Sequence, residues 1–321
     1  MTDSPAAGSG ASVPSSASSI PSPAASVPTP ASTASSESAF PRSLLFVPAN
    51  RTDMFAKAFA SDAEAIIFDL EDAVPNANKE AAREAMLSLE APASWTRPIF
   101  VRLNPQASEY FEQDLHAAMN MRASIAGLVL PKVERAAQVV AVDKAIESYD
   151  ARQQSLVLIL LIETPAGVMR VAELADCGVK RVVAFAFGTE DYRAGMRIDA
   201  LDPALADFAR ATVSNAAAAA GVVAIDSPLL QFDTPEVLRA TVLHVRALGF
   251  KAKFAIHPVQ LGTIHEAFAD VGFAGVIDRA WALRATEAYE RAERDGQGTV
   301  ALDGRMIDEA TMKRVREVLK S

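Results

Sequence analysis

The chain of 321 residues sets 31 Lys and Arg against 40 Asp and Glu, for a net charge of −9, and half of its residues are hydrophobic. This balance suits a globular protein of one large or two smaller domains; the acidic total, without a long basic run, argues against nucleic acid or an anionic membrane as partner. A single cysteine, Cys177, excludes an internal disulfide and fits a reducing, cytoplasmic setting, and four scattered histidines (His116, His244, His257, His265) disfavour a zinc enzyme.

Residues 1–39 are dominated by Ser, Ala, Pro, Thr, Gly and Val, so the segment 1–40 reads as a disordered tail with too little apolar surface to offset its chain entropy. No Lys or Arg precedes Arg42, and Pro and Ser break every apolar stretch, so neither a secretory signal nor a mitochondrial presequence is expected. No later run reaches transmembrane length without a charge.

From residue 42 onward, short apolar runs recur in the pattern of buried parallel strands: Ser43–Pro48, Ala65–Leu70, Ile99–Asn104, Gly127–Lys132, Leu156–Glu163, Val182–Gly188, Val222–Pro228 and Lys251–His257. Helical composition fills the stretches between them, as in Asn78–Leu89, where Asn78 suits an N-cap. Eight strands alternating with helices predict an α/β fold, the (β/α)8 TIM barrel, which typically takes about 250 residues. The boundaries expected are a barrel over 41–262 and a C-terminal helical extension over 263–321, a candidate lid. Within that extension the pattern predicts helices over Ala267–Ala292 and Glu309–Leu319 around a short segment, Thr299–Asp308. A doubly wound open sheet is the alternative, and no Gly-rich phosphate fingerprint follows any strand to support it.

In such a barrel the reactive groups stand at the C-terminal strand ends. Polar residues gather there: Asp69, Glu71 and Asp72 after the second strand, Arg102 and Asn104 after the third, and Lys132 after the fourth. Glu163 follows the fifth, Asp191 the sixth and His257 the eighth. Acids flanked by apolar runs are costly unless paired or bound to metal, so Glu163 and Asp191, on neighbouring strand ends, are candidate ligands of one cation. Oxygen ligands alone point to Mg2+, with Mn2+ as the other choice. The competing reading pairs both acids with Arg102, Lys132 or Arg193, and makes Arg102 a structural partner of Glu71 or Asp72.

Together the pieces resemble the β subunit of citrate lyase and the malyl-CoA and citramalyl-CoA lyases of the HpcH/HpaI aldolase superfamily. The matching segments are RSLLFVPANR (Arg42–Arg51), IIFDLEDAV (Ile66–Val74), VRLN (Val101–Asn104), LPKVE (Leu130–Glu134) and IETPAGV (Ile162–Val168). They continue with FGTEDY (Phe187–Tyr192), AIDSP (Ala224–Pro228), AIHPVQ (Ala255–Gln260) and DGRMID (Asp303–Asp308). One departure is Ala49, which stands where many of these proteins have glycine after the proline of the first loop.

The resemblance implies a Mg2+-dependent lyase that cleaves a citryl-, malyl- or citramalyl-CoA type thioester into acetyl-CoA (or a homologue) and a 2-keto acid. It makes Glu163 and Asp191 the metal ligands, with Glu163 also contacting substrate, and Arg102 a substrate-binding and catalytic group. Phe46, Arg51 and Lys57, with Ile256 and His257, resemble positions that hold the coenzyme A thioester. Asp308 resembles the acid/base residue that a neighbouring subunit inserts, which implies a homo-oligomer. On sequence grounds alone, Phe46 reads equally as core, Arg51 and Lys57 as solvated charges, His257 as a strand end and Asp308 as the N-cap of the last helix. A malyl-CoA-type thioesterase and a non-catalytic CoA-ester-binding regulatory barrel are the alternatives; the sugar-acid aldolase branch needs an early histidine, and none precedes His116.

Overall fold

The apolar runs become strands because both of their faces are covered. In the computed structural model, which describes residues 40–149, 155–199, 203–269 and 277–320, eight parallel strands close into a barrel in sequence order. They are β1 (Ser43–Pro48), β2 (Ala65–Asp69), β3 (Ile99–Arg102), β4 (Gly127–Leu130), β5 (Val157–Ile162), β6 (Val182–Phe187), β7 (Val223–Asp226) and β8 (Ala252–Ala255). Closure pairs β1 with β8, Leu44 opposite Phe254. The α/β barrel expected from the alternation is therefore the fold. The expected tail over 1–40 lies outside the described residues except for Phe40, which packs against the barrel's interior cluster.

Alternate residues on each strand divide between two cores. Leu44, Ile67, Phe100, Ile159, Ala186 and Phe254 fill the barrel. Leu45, Ile66, Phe68, Val101 and Leu160 face the surrounding helices. That ring comprises α1 (Phe55–Phe59), α2 (Lys79–Leu87), α3 (Phe111–Met119), α4 (Ala136–Glu147), α5 (Pro165–Ala175), α6 (Thr189–Met196), α7 (Pro203–Ala220), α8 (Pro235–Ala247) and α9 (Gln260–Ala269). Leu261 and Ile264 of α9 are buried in the same outer core, so this helix runs across residue 262 as part of the ring. Gly127 opens β4 where a β-carbon would lie 2.2 Å from the carbonyl oxygen of Val157; only glycine lets β4 approach β5 this closely.

Two local expectations are corrected. Asn78 does occupy the N-cap position of α2, but its backbone (φ −109°, ψ 1°) continues a preceding 3-10 turn, and its side chain caps nothing. The single helix expected over Ala267–Ala292 is two: α9 ends at Ala269, and α10 (Arg279–Arg294) starts anew where Asp278 Oδ1 accepts the N–H of Trp281 at 2.7 Å. The segment Thr299–Asp308 forms a hairpin of β9 (Val300–Leu302) and β10 (Arg305–Ile307). Its two-residue turn is Asp303-Gly304, with φ of 51° and 75°, as a type I′ turn requires. Ile277, Ala285, Tyr289, Ile307, Met312 and Val315 give α10, the hairpin and α11 (Glu309–Lys320) a core of their own.

A polar cluster lies in the outer layer beneath β7 and β8. Asp226 and Lys253, 0% and 1% exposed, form an ion pair, and Arg210 of α7 donates to the other Asp226 oxygen at 2.8 Å. Lys253 also donates to the carbonyl of Ser227 at 2.5 Å. At the opposite end of β1, the buried Ser43 hydroxyl lies 2.7 Å from His265 of α9. No helix among the described residues is long and apolar enough to cross a membrane.

Candidate active site at the barrel mouth

The C-terminal strand ends surround a cavity of about 200 Å3. Phe46, Leu161, Phe187 and Phe254 give it an apolar floor and wall, and Asp69, Asp72, Arg102, Glu163 and Asp191 give it a charged side. A second cavity of about 460 Å3 adjoins it, sharing Phe46 and Ile256 and adding Arg51, Lys57 and His257. The fold thus brings Phe46, Arg51, Lys57, Arg102, Glu163, Asp191, Ile256 and His257 to one end of the barrel. Asp308 is not among the residues lining either cavity; it caps α11, accepting the N–H of Thr311 at 2.8 Å.

Arg102 is fixed from two sides. Its Nε and Nη2 grip Asp69 at 2.7 and 2.6 Å, and its Nη1 lies 2.9 Å from Glu71 Oε2. The guanidinium also lies over the Phe46 ring, 4.7 Å from its centroid. The structural pairing weighed for Arg102 is therefore present, with Asp69 as the main partner, and the group still lines the cavity. Burial pushes the Asp69 carboxyl up, but Arg102 and the N–H groups of Glu71 and Ala73 outweigh it and hold it below its ordinary value.

Glu163 is 2% exposed, and its Oε1 accepts the Lys132 N–H at 2.9 Å. Lys132 can aim that N–H because it sits at φ 51°, a left-handed conformation that is uncommon for a side-chain-bearing residue. Its ammonium reaches Glu71 Oε1 at 2.6 Å, Asp191 Oδ1 at 3.6 Å and Asp72 Oδ2 at 3.7 Å. Burial, with the charges of Glu71 and Asp191, raises the Glu163 carboxyl well above its ordinary value. Burial likewise lifts Glu71; Arg102 and Lys132 oppose the rise and Asp72 adds to it, leaving Glu71 at about 7. The mouth thus holds more negative charge than its own cations neutralise.

A hard divalent cation fits that excess. Among the described residues no three His, Cys, Asp or Glu side chains form a self-sufficient cage. Two carboxylates with oxygen donors only, facing an open cavity, are the set a magnesium-like ion accepts while keeping sites for water and substrate. Gly188 makes room for this: a β-carbon there would lie 2.6 Å from both Cβ and Oε2 of Glu163. The backbone of Gly188 (φ −108°) suits alanine, but the Glu163 Cβ is fixed to its strand, so Gly188→Ala is expected to lower stability somewhat as it displaces the carboxylate. We expect its affinity for a divalent cation, read by calorimetric titration, to fall about 10- to 100-fold; wild-type affinity in the variant is the contrary result.

Other strand-end residues have structural work. Asn104 donates to Asp114 and to the Leu70 carbonyl, and the buried Lys79 binds Asn104 Oδ1 at 2.8 Å and the carbonyls of Leu70 and Glu71, both at 2.7 Å. This brace holds the loop that carries Glu71. Thr164 caps α5, accepting the Gly167 N–H at 3.0 Å. Ala49 is fully buried outside the left-handed region, and its N–H binds the Asp69 carbonyl at 2.9 Å, so the loop needs no glycine there. Asp69 and Gly188 are signalled in the sequence only by their strand-end positions, whereas Lys132, weighed there as a partner of the two acids, does lie 3.6 Å from Asp191.

Comparison with known proteins agrees with this geometry. The family model for HpcH/HpaI aldolase/citrate lyase matches residues 42–258. The citrate lyase subunit beta-like protein of Deinococcus radiodurans is 34% identical over 290 residues, covering 88% of this chain and 97% of its own. The citrate lyase subunit beta of Escherichia coli K12 is 33% identical over 285 residues (87% and 92% covered). The (3S)-malyl-CoA thioesterase of Cereibacter sphaeroides is 31% identical over 280 residues (87% and 93%). The crystal structure of CitE from Mycobacterium tuberculosis in complex with magnesium, acetoacetate and coenzyme A aligns with a TM-score of 0.70 at 30% identity, over 87% of this chain and 97% of that one. With the barrel, the acid-rich mouth and this coverage in hand, the chain belongs to the HpcH/HpaI aldolase/citrate lyase family of carbon–carbon lyases.

Proposed function

We propose that the barrel mouth cleaves a 3-hydroxy-acyl-CoA of the citryl-, malyl- or citramalyl-CoA type into acetyl-CoA, or a homologue, and a 2-keto acid, with Mg2+ held by Glu163 and Asp191. The observation that carries this reading is the buried Glu163 carboxylate, open to the cavity and crowded by Glu71 and Asp191. The magnesium, acetoacetate and coenzyme A in the M. tuberculosis relative support it. Mn2+ suits the same donors.

When bound, the cation supplies Lewis acidity to the hydroxyl and carboxylate oxygens of the substrate. The rest falls to the chain's own residues. Phe46, Leu161 and Phe254 keep water from the reacting carbons, while Arg51, Lys57, Ile256 and His257 line the adjoining cavity for the coenzyme A arm. As the hydroxyl proton passes to a water at the open mouth, the bond between the hydroxyl-bearing carbon and the thioester α-carbon breaks. Negative charge then develops on the thioester oxygen, where Arg102 stabilises it. The α-carbon takes up a proton from Asp308 of a neighbouring subunit, or from a water that it orients.

Product identification by mass spectrometry, with Mg2+ and a panel of citryl-, malyl- and citramalyl-CoA, tests the reading. Acetyl-CoA plus a keto acid is the expected result; no turnover of any member sinks it. Free CoA with the intact hydroxy acid makes the protein a thioesterase, the reading that the C. sphaeroides relative favours. The shared site has its own test. Hybrid oligomers of Glu163→Gln and Asp308→Ala chains are expected to regain activity, because one mouth in the hybrid has both groups intact; hybrids that form without regaining activity rule out Asp308 acting across subunits.

A further inference from the structure

The reaction outlined above gives Lys132 no step. Its conformation costs on the order of 1 kcal/mol for a residue with a side chain, and glycine would adopt it freely. Glycine would also keep the backbone N–H that binds Glu163, so the feature that only a long cationic side chain supplies is the ammonium. That ammonium stands among three carboxylates, 2.6 Å from Glu71, 3.6 Å from Asp191 and 3.7 Å from Asp72.

We propose that Lys132 is a resident counter-cation that competes with the divalent ion for the carboxylates of the mouth, so that metal binds weakly alone and tightly only with an acidic substrate. The inference rests on Glu163 and Asp191 being the metal ligands. Two cations a few ångströms apart repel strongly at the effective dielectric of a half-buried site, and Lys132 is 31% exposed. A substrate carboxylate arriving at the mouth supplies negative charge that offsets this repulsion. Metal and 2-keto acid therefore favour each other's binding, and by linkage each raises the affinity of the other by the same factor. Lys132 acts as a positioning residue through the charges around it and touches no reacting atom.

The test is calorimetric titration of Mg2+ into substrate-free, folded protein, repeated with saturating pyruvate. Wild type is compared with Lys132→Met, Lys132→Gly and Lys132→Arg. We expect Met and Gly to bind Mg2+ about tenfold more tightly than wild type, Arg to match wild type, and the enhancement by pyruvate to shrink in Met and Gly. The glycine variant relieves backbone strain, so it reports on the ammonium even where the methionine variant folds poorly. Equal or weaker binding by folded Met and Gly variants, with Mg2+ bound by wild type, overturns the role of Lys132 alone. Binding by the variants and not by wild type is its strongest form. No binding by any of them overturns the metal site as well.

Discussion

Glu163→Gln protein is expected to lose at least about 10³-fold in turnover while melting at or above the wild-type temperature. The two outcomes share one cause. Ionised Glu163 is buried beside other acids and is raised well above its ordinary value, so its charge opposes folding. For an acid shifted upward, the folded state holds the proton more tightly than the unfolded chain. Stability therefore falls as pH rises from the ordinary glutamate value toward the folded one. Glutamine removes that charge and can still accept the Lys132 N–H through its amide oxygen. Metal-free wild type should thus lose thermal stability between about pH 4.5 and 7, where Glu71 also titrates, and added Mg2+ should restore it. Asp191→Asn is expected to lose turnover in the same way. Retained turnover with unchanged metal dependence in either variant rejects the site.

Arg102→Met should act in the opposite sense on stability, lowering it by about 3–5 kcal/mol while abolishing activity. The guanidinium holds two buried acids, Asp69 at 0% and Glu71 at 2% exposed, and its loss strands both. Asp69 sets the pH sign. Its carboxyl is held below the ordinary value, so in wild type its contribution is present above that value and disappears as pH falls through the folded one. Arg102→Met removes this contribution. The double variant Asp69→Asn/Arg102→Met should be less destabilised than the sum of the two single changes, because the charges leave together; it should remain inactive. Arg102→Lys keeps the charge and loses the two-pronged grip on Asp69, so it separates charge from geometry. Chemical denaturation of the four variants decides the matter: additive losses, or an active double variant, would remove Arg102 from its assigned place.

The strands were legible in the sequence because a strand of a closed parallel barrel is covered on both faces and reads as an unbroken apolar run. AIIFD and VLILLI are such runs, and the observed strands end within two residues of the expected ends. The residues just past those ends are polar, and these carry the site. The pairings between distant segments were not legible. Arg102 was open to Glu71, Asp72 or a substrate; the structure keeps Glu71, at 2.9 Å, and adds the 2.6–2.7 Å grip on Asp69, which no spacing in the sequence indicates. The left-handed Lys132 leaves no trace in composition, since most positive-φ positions announce themselves with glycine. Gly188 reads as the end of the sixth strand, and nothing in the sequence shows that the Glu163 carboxylate occupies the space a β-carbon there would need. The helix over Ala267–Ala292 failed for a local reason: Asp278 is a capping residue inside an otherwise helical composition.

The charged cluster beneath β7 and β8 has a consequence for the order in which the molecule is made. Lys253 lies 27 residues beyond Asp226 and pairs through β8 with the start of β1, Ser43 opposite Lys253. A nascent chain that has left the ribosome only through β7 holds Asp226 and Arg210 but no lysine, and β1 has an open edge. When β8 arrives, one strand closes the ring, satisfies that edge and delivers an ammonium to a pocket that solvates it nowhere else. Partly closed rings keep the cost of the buried charge without its partners. The last strand is therefore driven to dock completely or not at all, and α9, through His265 and Ser43, latches the seam from outside. Contacts spanning so much of the chain form slowly, so closure of the ring is the expected rate-limiting step of folding.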